Sequence, residues 1–337
     1  MLKTQCLGAV IGAFVGDALG VPYEYKTRRE LMLAPCTDMI GYGKHYQPPG
    51  HWSDDAATLW AQMAALMTDQ GFNPITLMEN LQRWLDEGDF CAGEMPFEYG
   101  FGLFFLLARY RHLKASHGVE FAILNSNYND PGSNLNEVLA RMVPVALYAL
   151  HLPADEAVDL AMRASAVTFA NQVSTHCGAF FTLFVRQLCT PGQDVMEALI
   201  QTRASYLALT TEMEWRVPAE VQQGLLDQDL YALVPGTLNN CGMVQDTLQL
   251  AIWALLNFDS YPAAVLAVIS QGGLTTTHSC VTGALAGLIY GFHAIPENWR
   301  KALPKRVMLE AAATDFYDFI SELDPVDRES RALVASA

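Results

Sequence analysis

Apolar residues recur at helical spacing through almost the whole of this chain, and alternating, strand-like segments are nearly absent. Helical periodicity covers residues 4–19, 56–69, 75–87, 99–113, 135–150, 154–168, 177–189 and 195–207. It resumes over 246–256, 261–270, 277–290 and 309–323. Between these segments fall helix breakers: Pro48-Pro49-Gly50, Asp130-Pro131-Gly132, Pro191-Gly192 and Val234-Pro235-Gly236. Several segments are rich in small residues or apolar on every side, which marks central helices wrapped by others. At 337 residues and 51% hydrophobic, the chain can bury a large core without disulfides or metals. No linker or low-complexity tract divides it. The expectation is a single compact all-α, multi-helix domain spanning 1–337.

Charge narrows the partners. A net charge of −16 excludes nucleic acid and anionic membrane surfaces as the main ligands, because most of the surface would repel them. The seven cysteines are odd in number and form no CxxC pair, so a disulfide framework or zinc ribbon is not expected. Reduced thiols in a cytoplasmic protein are the expected state. The apolar N-terminal stretch, Leu7 to Leu19, carries Asp17 and reads as an internal core helix rather than a secretion signal. No uninterrupted apolar run reaches roughly 18 residues, so no transmembrane helix is expected.

Chemistry concentrates in two places. Gln271-Gly272-Gly273-Leu274-Thr275-Thr276-Thr277-His278 reads as a turn entering a helix, with glycines for unusual backbone angles and hydroxyls that can cap. Ser53-Asp54-Asp55 is the obvious carboxylate partner, although such acids also cap helices. Irregular polar loops at 41–55, 125–136 and 236–242 are the other candidates for binding. Asp17 reads as a structural acid bonding a neighbouring helix end, and Asp246 as a helix N-cap. Arg141 can hold a core carboxylate or touch a phosphate. His51, His176 and His278 lack the spacing of a dedicated metal set.

The order of motifs resembles the ADP-ribosylglycohydrolase family, which includes the dinitrogenase-reductase-activating glycohydrolases. The residues that carry the likeness begin with 12–24, the glycine-rich segment ending in Val21-Pro22-Tyr23-Glu24. They continue with Trp52-Ser53-Asp54-Asp55, Leu139-Ala140-Arg141-Met142-Val143-Pro144 and Val244-Gln245-Asp246-Thr247-Leu248. Gly272-Gly273-Leu274-Thr275-Thr276-Thr277, then Thr282-Gly283-Ala284-Leu285-Ala286-Gly287 and Ile295-Pro296-Glu297-Asn298-Trp299, complete it.

The resemblance implies an all-α hydrolase that cleaves the N- or O-glycosidic bond of ADP-ribose, with two Mg²⁺ ions between two acidic motifs. It implies catalytic roles for Asp54, Asp55 and Glu24, and metal ligation by Ser53, Asp54 and Asp55. Substrate contacts fall on Gly272, Gly273, Thr275, Thr276, Thr277 and Arg141. The partner would be an ADP-ribose-like small molecule or an ADP-ribosylated protein.

Departures from the pattern matter as much. Leu274 and Thr276 stand where the family carries aspartates, Ala56 where it carries a threonine, and Phe169 where it often has a histidine. The expected metal content falls to at most one weakly held Mg²⁺, or none. Two functions stay open: a hydrolase with altered metal use, and an inactive pseudo-hydrolase that binds ADP-ribose, a nucleotide or a modified partner. In the second, backbone amides and hydroxyls of the glycine loop would cradle a diphosphate.

Overall fold

The computed structural model describes residues 1–127 and 134–323, and these form one body of packed helices. Residues 128–133, with Asn129 and Asp130 of the expected polar loop, and 324–337 lie outside the described residues. Helices α1 (Lys3–Gly20), α2 (Arg28–Leu33), α3 (Asp54–Thr68) and α4 (Pro74–Glu87) open the chain. Next come α5 (Phe101–His117), α6 (Val119–Ser126), α7 (Glu137–Tyr148) and α8 (Ala154–Ala166). Then follow α9 (Gln172–Leu188), α10 (Val195–Glu212), α11 (Ala219–Val221) and α12 (Val244–Asn257). The chain continues through α13 (Tyr261–Ile269), α14 (Thr275–Tyr290), α15 (Glu297–Ala302) and α16 (Arg306–Leu323). Among the described residues the only β pairing is the isolated bridges Tyr42–Gln47 and Leu135–Met243. The all-α expectation holds, and the long helices fall where the periodicity puts them. The shorter α2, α6, α11 and α15 were not expected, because eight residues or fewer are too few to show a period.

The core is organised around α1 and α14, which lie antiparallel and in backbone contact. A Cβ placed on Gly12 would lie 2.3 Å from the Gly283 carbonyl oxygen, and one on Gly283 would lie 2.2 Å from that of Gly12. The same close approach recurs between Gly8 and Gly287 and between Gly16 and Ser279. Hydroxyls of α13 and α14 complete the seam. Tyr261 donates to the Gly12 carbonyl (2.7 Å), Ser279 to Gly16 (2.7 Å) and Thr275 to Gly20 (2.8 Å). The stretch Lys3–Tyr23 is long and apolar enough by composition to cross a membrane, yet 94% of that window is buried inside the bundle. It is the core helix that Asp17 suggested.

This seam positions the chemistry. The C-terminus of α1 meets the N-terminus of α14, so Glu24, just past the short turn Val21–Tyr23, arrives beside Thr276. One turn before the end of α1, Asp17 caps α3 from outside. Its carboxylate accepts the Ser53 amide (3.0 Å) and the Ala56 amide (2.9 Å). Burial pushes Asp17 up to about 8, against the pull of those two amides. Its structural role agrees with the reading from sequence.

Candidate functional site

The N-terminal ends of α3, α5 and α14 converge on a group of carboxylates, where the partial positive charge of helix starts favours anions. Ser53 is the N-cap of α3, its hydroxyl accepting the Asp55 amide at 3.3 Å. Asp54 is half-buried and accepts the amide of Gly100, the N-cap of α5, at 2.7 Å. Asp55 is buried, and the Thr277 side chain beside it opposes the rise of its carboxyl. Burial raises both acids, and for Asp55 the charges of Asp54 and Asp17 add to the rise. The two acidic and hydroxyl motifs that the sequence singled out therefore face one another.

Beside them lies a group of which sequence reasoning named only Glu24. Glu24 is buried, with Oε1 accepting the Thr276 hydroxyl at 2.8 Å and Oε2 2.7 Å from His45 Nε2. The same nitrogen lies 3.3 Å from Glu98 Oε2, and the other Glu98 oxygen accepts the Tyr25 hydroxyl at 3.3 Å. His45 comes from the 41–55 loop that was expected to carry chemistry, although no spacing marked that histidine. The loop folds onto the Val21–Tyr23 turn at Gly43, whose φ of +64° and 2.1 Å approach to the Pro22 carbonyl admit only glycine. Glu98 sits in the irregular stretch before α5 and carries no signal at all in sequence.

Electrostatics ties these acids together. Burial pushes Glu24 up to about 7, with Asp54 and Asp17 adding and the Thr276 hydrogen bond opposing. Burial and the charges of Asp54 and Glu24 push Glu98 up to about 9. Glu137, which caps the first turn of α5 through the Leu103 amide (3.1 Å), is pushed up to about 8 by burial and by Asp54. Among the described residues no lysine or arginine pairs with Glu24, Asp54, Asp55 or Glu98. Carboxylates gathered in this way take up protons or cations.

Other expected residues lie elsewhere. Gly272 and Gly273 have φ of +72° and +75°, as a glycine turn should, but their amides are occupied. Gly272 donates to Ile269 (2.9 Å) and Gly273 to Lys26 (3.0 Å), while Gly273 in turn accepts from the Tyr25 amide (2.8 Å). The expected diphosphate cradle gives way to a backbone clasp between this loop and residues 25–26. Thr275 is spent on the α1 seam; only Thr276 and Thr277 of the hydroxyl run reach the acids. Leu274 packs against Gly242, where a Cβ would lie 2.3 Å from its Cδ1.

Arg141 is 2% exposed, and its guanidinium donates to Ala164 (2.9 Å), Thr168 (2.5 Å) and Gln62 (3.3 Å). It joins α3, α7 and α8 rather than offering itself to a substrate. Asp246 is the third residue of α12, whose N-cap is Met243, so it is not the cap expected of it. His278 is the fourth residue of α14, fully buried, and does not assemble with His51 or His176. Among the described residues, Glu24, His45 and Glu98 are the group whose ligand atoms lie within 4.8 Å of one another.

Comparison with known proteins agrees with this architecture. The family model described as ADP-ribosylglycohydrolase matches residues 2–325. The chain belongs to the ADP-ribosylglycohydrolase family. Over 319 residues it is 24% identical to the ADP-ribosylarginine hydrolase Tri1 of Serratia proteamaculans, covering 94% of this chain and 80% of that protein. It is 23% identical to the ADP-ribosyl-[dinitrogen reductase] glycohydrolase of Rhodospirillum rubrum, with 91% and 92% covered. The ADP-ribosylhydrolase ARH3 of Bos taurus is 21% identical, with 88% and 87% covered. A solved structure titled ADP-ribosylglycohydrolase-related protein complex superposes with a TM-score of 0.73 at 24% identity, covering 94% of this chain and 98% of that one. An ADP-ribosylglycohydrolase fold thus carries these carboxylates, with Leu274 and Thr276 in the loop that faces them.

Proposed function

We propose that this chain hydrolyses a glycosidic bond of ADP-ribose, as the names of its relatives suggest for their own substrates. The observation that carries the reading is the survival of one acidic wall: Asp54 and Asp55 at the head of α3, facing Thr276 and Thr277, with Glu24 buried alongside. Cleavage adds a water oxygen to C1″ of the ribose and releases the acceptor with a proton. Asp54 and Asp55 would balance the positive charge that develops on the sugar. Glu24, held by Thr276 and poised near neutrality, is suited to take the water proton.

The residues fit one Mg²⁺ rather than two. Asp54 and Asp55 offer the oxygen donors a hard cation prefers, whereas Leu274 offers none and the Thr276 hydroxyl is directed to Glu24. Bound there, a Mg²⁺ would polarise substrate oxygens and a water. The substrate class is an ADP-ribosylated protein or a related small molecule, and the unpaired cysteines suit a reducing, cytoplasmic compartment.

A second reading, binding without cleavage, rests on Leu274 and Thr276 alone; the occupied amides of Gly272 and Gly273 count against its diphosphate cradle. Release of ADP-ribose from ADP-ribosylated arginine and serine peptides, with Mg²⁺ and with EDTA, separates the two. Turnover in Mg²⁺ supports the hydrolase. No turnover, with equal ADP-ribose affinity in Mg²⁺ and EDTA by calorimetry, supports the binding protein.

A further inference from the structure

We propose that Glu24, His45 and Glu98 form a site for one first-row transition-metal dication of the Mn²⁺ or Zn²⁺ type, separate from the hard-cation position at Asp54 and Asp55. The inference does not depend on hydrolysis, although Glu24 cannot ligate that ion and take the water proton at the same time. Three chain segments deliver the donors: the end of the Val21–Tyr23 turn, the short helical turn Gly43–His45, and the stretch before α5. Their ligand atoms all lie within 4.8 Å of one another. One imidazole nitrogen with two carboxylates is a donor set that borderline dications favour and Mg²⁺ does not.

The arrangement is built, not merely acidic. Each carboxylate turns its Oε2 toward His45 Nε2, at 2.7 Å from Glu24 and 3.3 Å from Glu98. Each Oε1 is held from outside the triad by a hydroxyl, Thr276 on Glu24 and Tyr25 on Glu98. Outer hydrogen bonds of this kind orient metal ligands and hold their geometry. Glu98 Oε2 is itself buried and faces His45 Nε2 at 3.3 Å without the alignment of a hydrogen bond. The His45 and Glu98 side chains keep 12% and 15% exposure, so the site opens to solvent on one side and leaves positions for exchangeable ligands. Two carboxylates and a neutral imidazole balance a dication, which removes the like-charge conflict of Glu24 and Glu98 with Asp54.

The test is Mn²⁺ binding to the full chain, followed by electron paramagnetic resonance with detection of ¹⁴N coupling. The expected result is one Mn²⁺ coupled to an imidazole nitrogen, displaced by Zn²⁺ but not by a large excess of Mg²⁺. His45→Ala should abolish the coupling and weaken binding on the order of 10–100-fold or more. Glu98→Gln should weaken binding while circular dichroism shows the fold retained, and Asp54→Asn should leave the nitrogen coupling in place. No Mn²⁺ bound, Mn²⁺ bound without nitrogen coupling, coupling that survives His45→Ala, or ready displacement by Mg²⁺ would each overturn the proposal. None of these readouts uses turnover, so failure here is distinct from failure of the hydrolase reading.

Discussion

Thr276 donates its hydroxyl to Glu24 Oε1 across 2.8 Å, so a residue standing where the family pattern carries an acid serves here as the donor that orients another acid. A carboxylate in its place would face Glu24 as a like charge in a buried setting, where the cost of charge is high unless a cation intervenes. Leu274 removes a second charge and fills space against Gly242. The two substitutions therefore change the same quantity, the negative charge that the site must neutralise.

Restoring both acids tests this. The double variant Leu274→Asp, Thr276→Asp is expected to bind Mg²⁺ more tightly than the natural chain and to be less stable than it in EDTA. Saturating Mg²⁺ at about 100 times its Kd would return roughly 2.7 kcal/mol. Calorimetric titration and melting with and without Mg²⁺ measure both effects; unchanged Mg²⁺ affinity would mean that the loop does not serve Asp54 and Asp55.

Asp54→Asn should remove whatever turnover the protein has, and Glu24→Gln should lower kcat on the order of 10²–10⁴-fold, the usual span for a general base. Both amides keep an oxygen acceptor for Gly100 or Thr276, so the fold should persist. Full activity in Asp54→Asn would take that residue out of the chemistry.

Arg141→Ala is expected to cost on the order of 3 kcal/mol in urea unfolding, because Gln62, the Ala164 carbonyl and Thr168 lose their shared donor. KM should not change. A raised KM with stability intact would instead return Arg141 to the substrate.

Gly12→Ala should destabilise by about 3 kcal/mol or more, since its methyl meets the Gly283 backbone and the central helix pair would have to part. Gly236→Ala, with nothing within 4 Å of its added methyl, is the control and should stay within about 0.5 kcal/mol. Equal effects at the two positions would show that the seam is not tight.

His176 gives a pH prediction. It is buried against Tyr206 and Trp215, its Nδ1 2.5 Å from the Tyr206 hydroxyl, and burial lowers it to about 4 from 6.5. Below pH 6.5 the unfolded chain takes a proton that the folded chain refuses, so stability is lost as pH falls from 6.5 toward 4. At about 1.4 kcal/mol per unit, the full effect is roughly 3 kcal/mol. His176→Gln should flatten the fall in melting temperature across that window relative to the natural chain; an unchanged slope would assign acid lability to other groups.

Much of this protein is legible in order. Periodicity placed the long helices because an amphipathic or wholly apolar helix repeats over many residues. Ser53-Asp54-Asp55 and the hydroxyl run could be matched to family motifs because each is contiguous. Asp17 as a structural acid was also readable, since an acid inside an apolar helix needs a nearby donor, and Ser53 and Ala56 supply it.

Other assignments needed three dimensions. Whether Gly273 offers a free amide depends on Lys26, which lies far away in sequence and whose carbonyl claims it first, while the Gly272 amide turns back to Ile269. Arg141 could have faced phosphate or core until α3 and α8 packed around it. His45 and Glu98 are unremarkable alone; they meet Glu24 because the α1–α14 seam and the fold of the 41–55 loop bring separate segments together. The amino-acid order by itself determined the long helices, the family and the contiguous acids, because those signals are local and repeat. Only the tertiary structure decided which donors are spent and which acids share a nitrogen, because hydrogen-bond partners and charge neighbours are properties of distance in space.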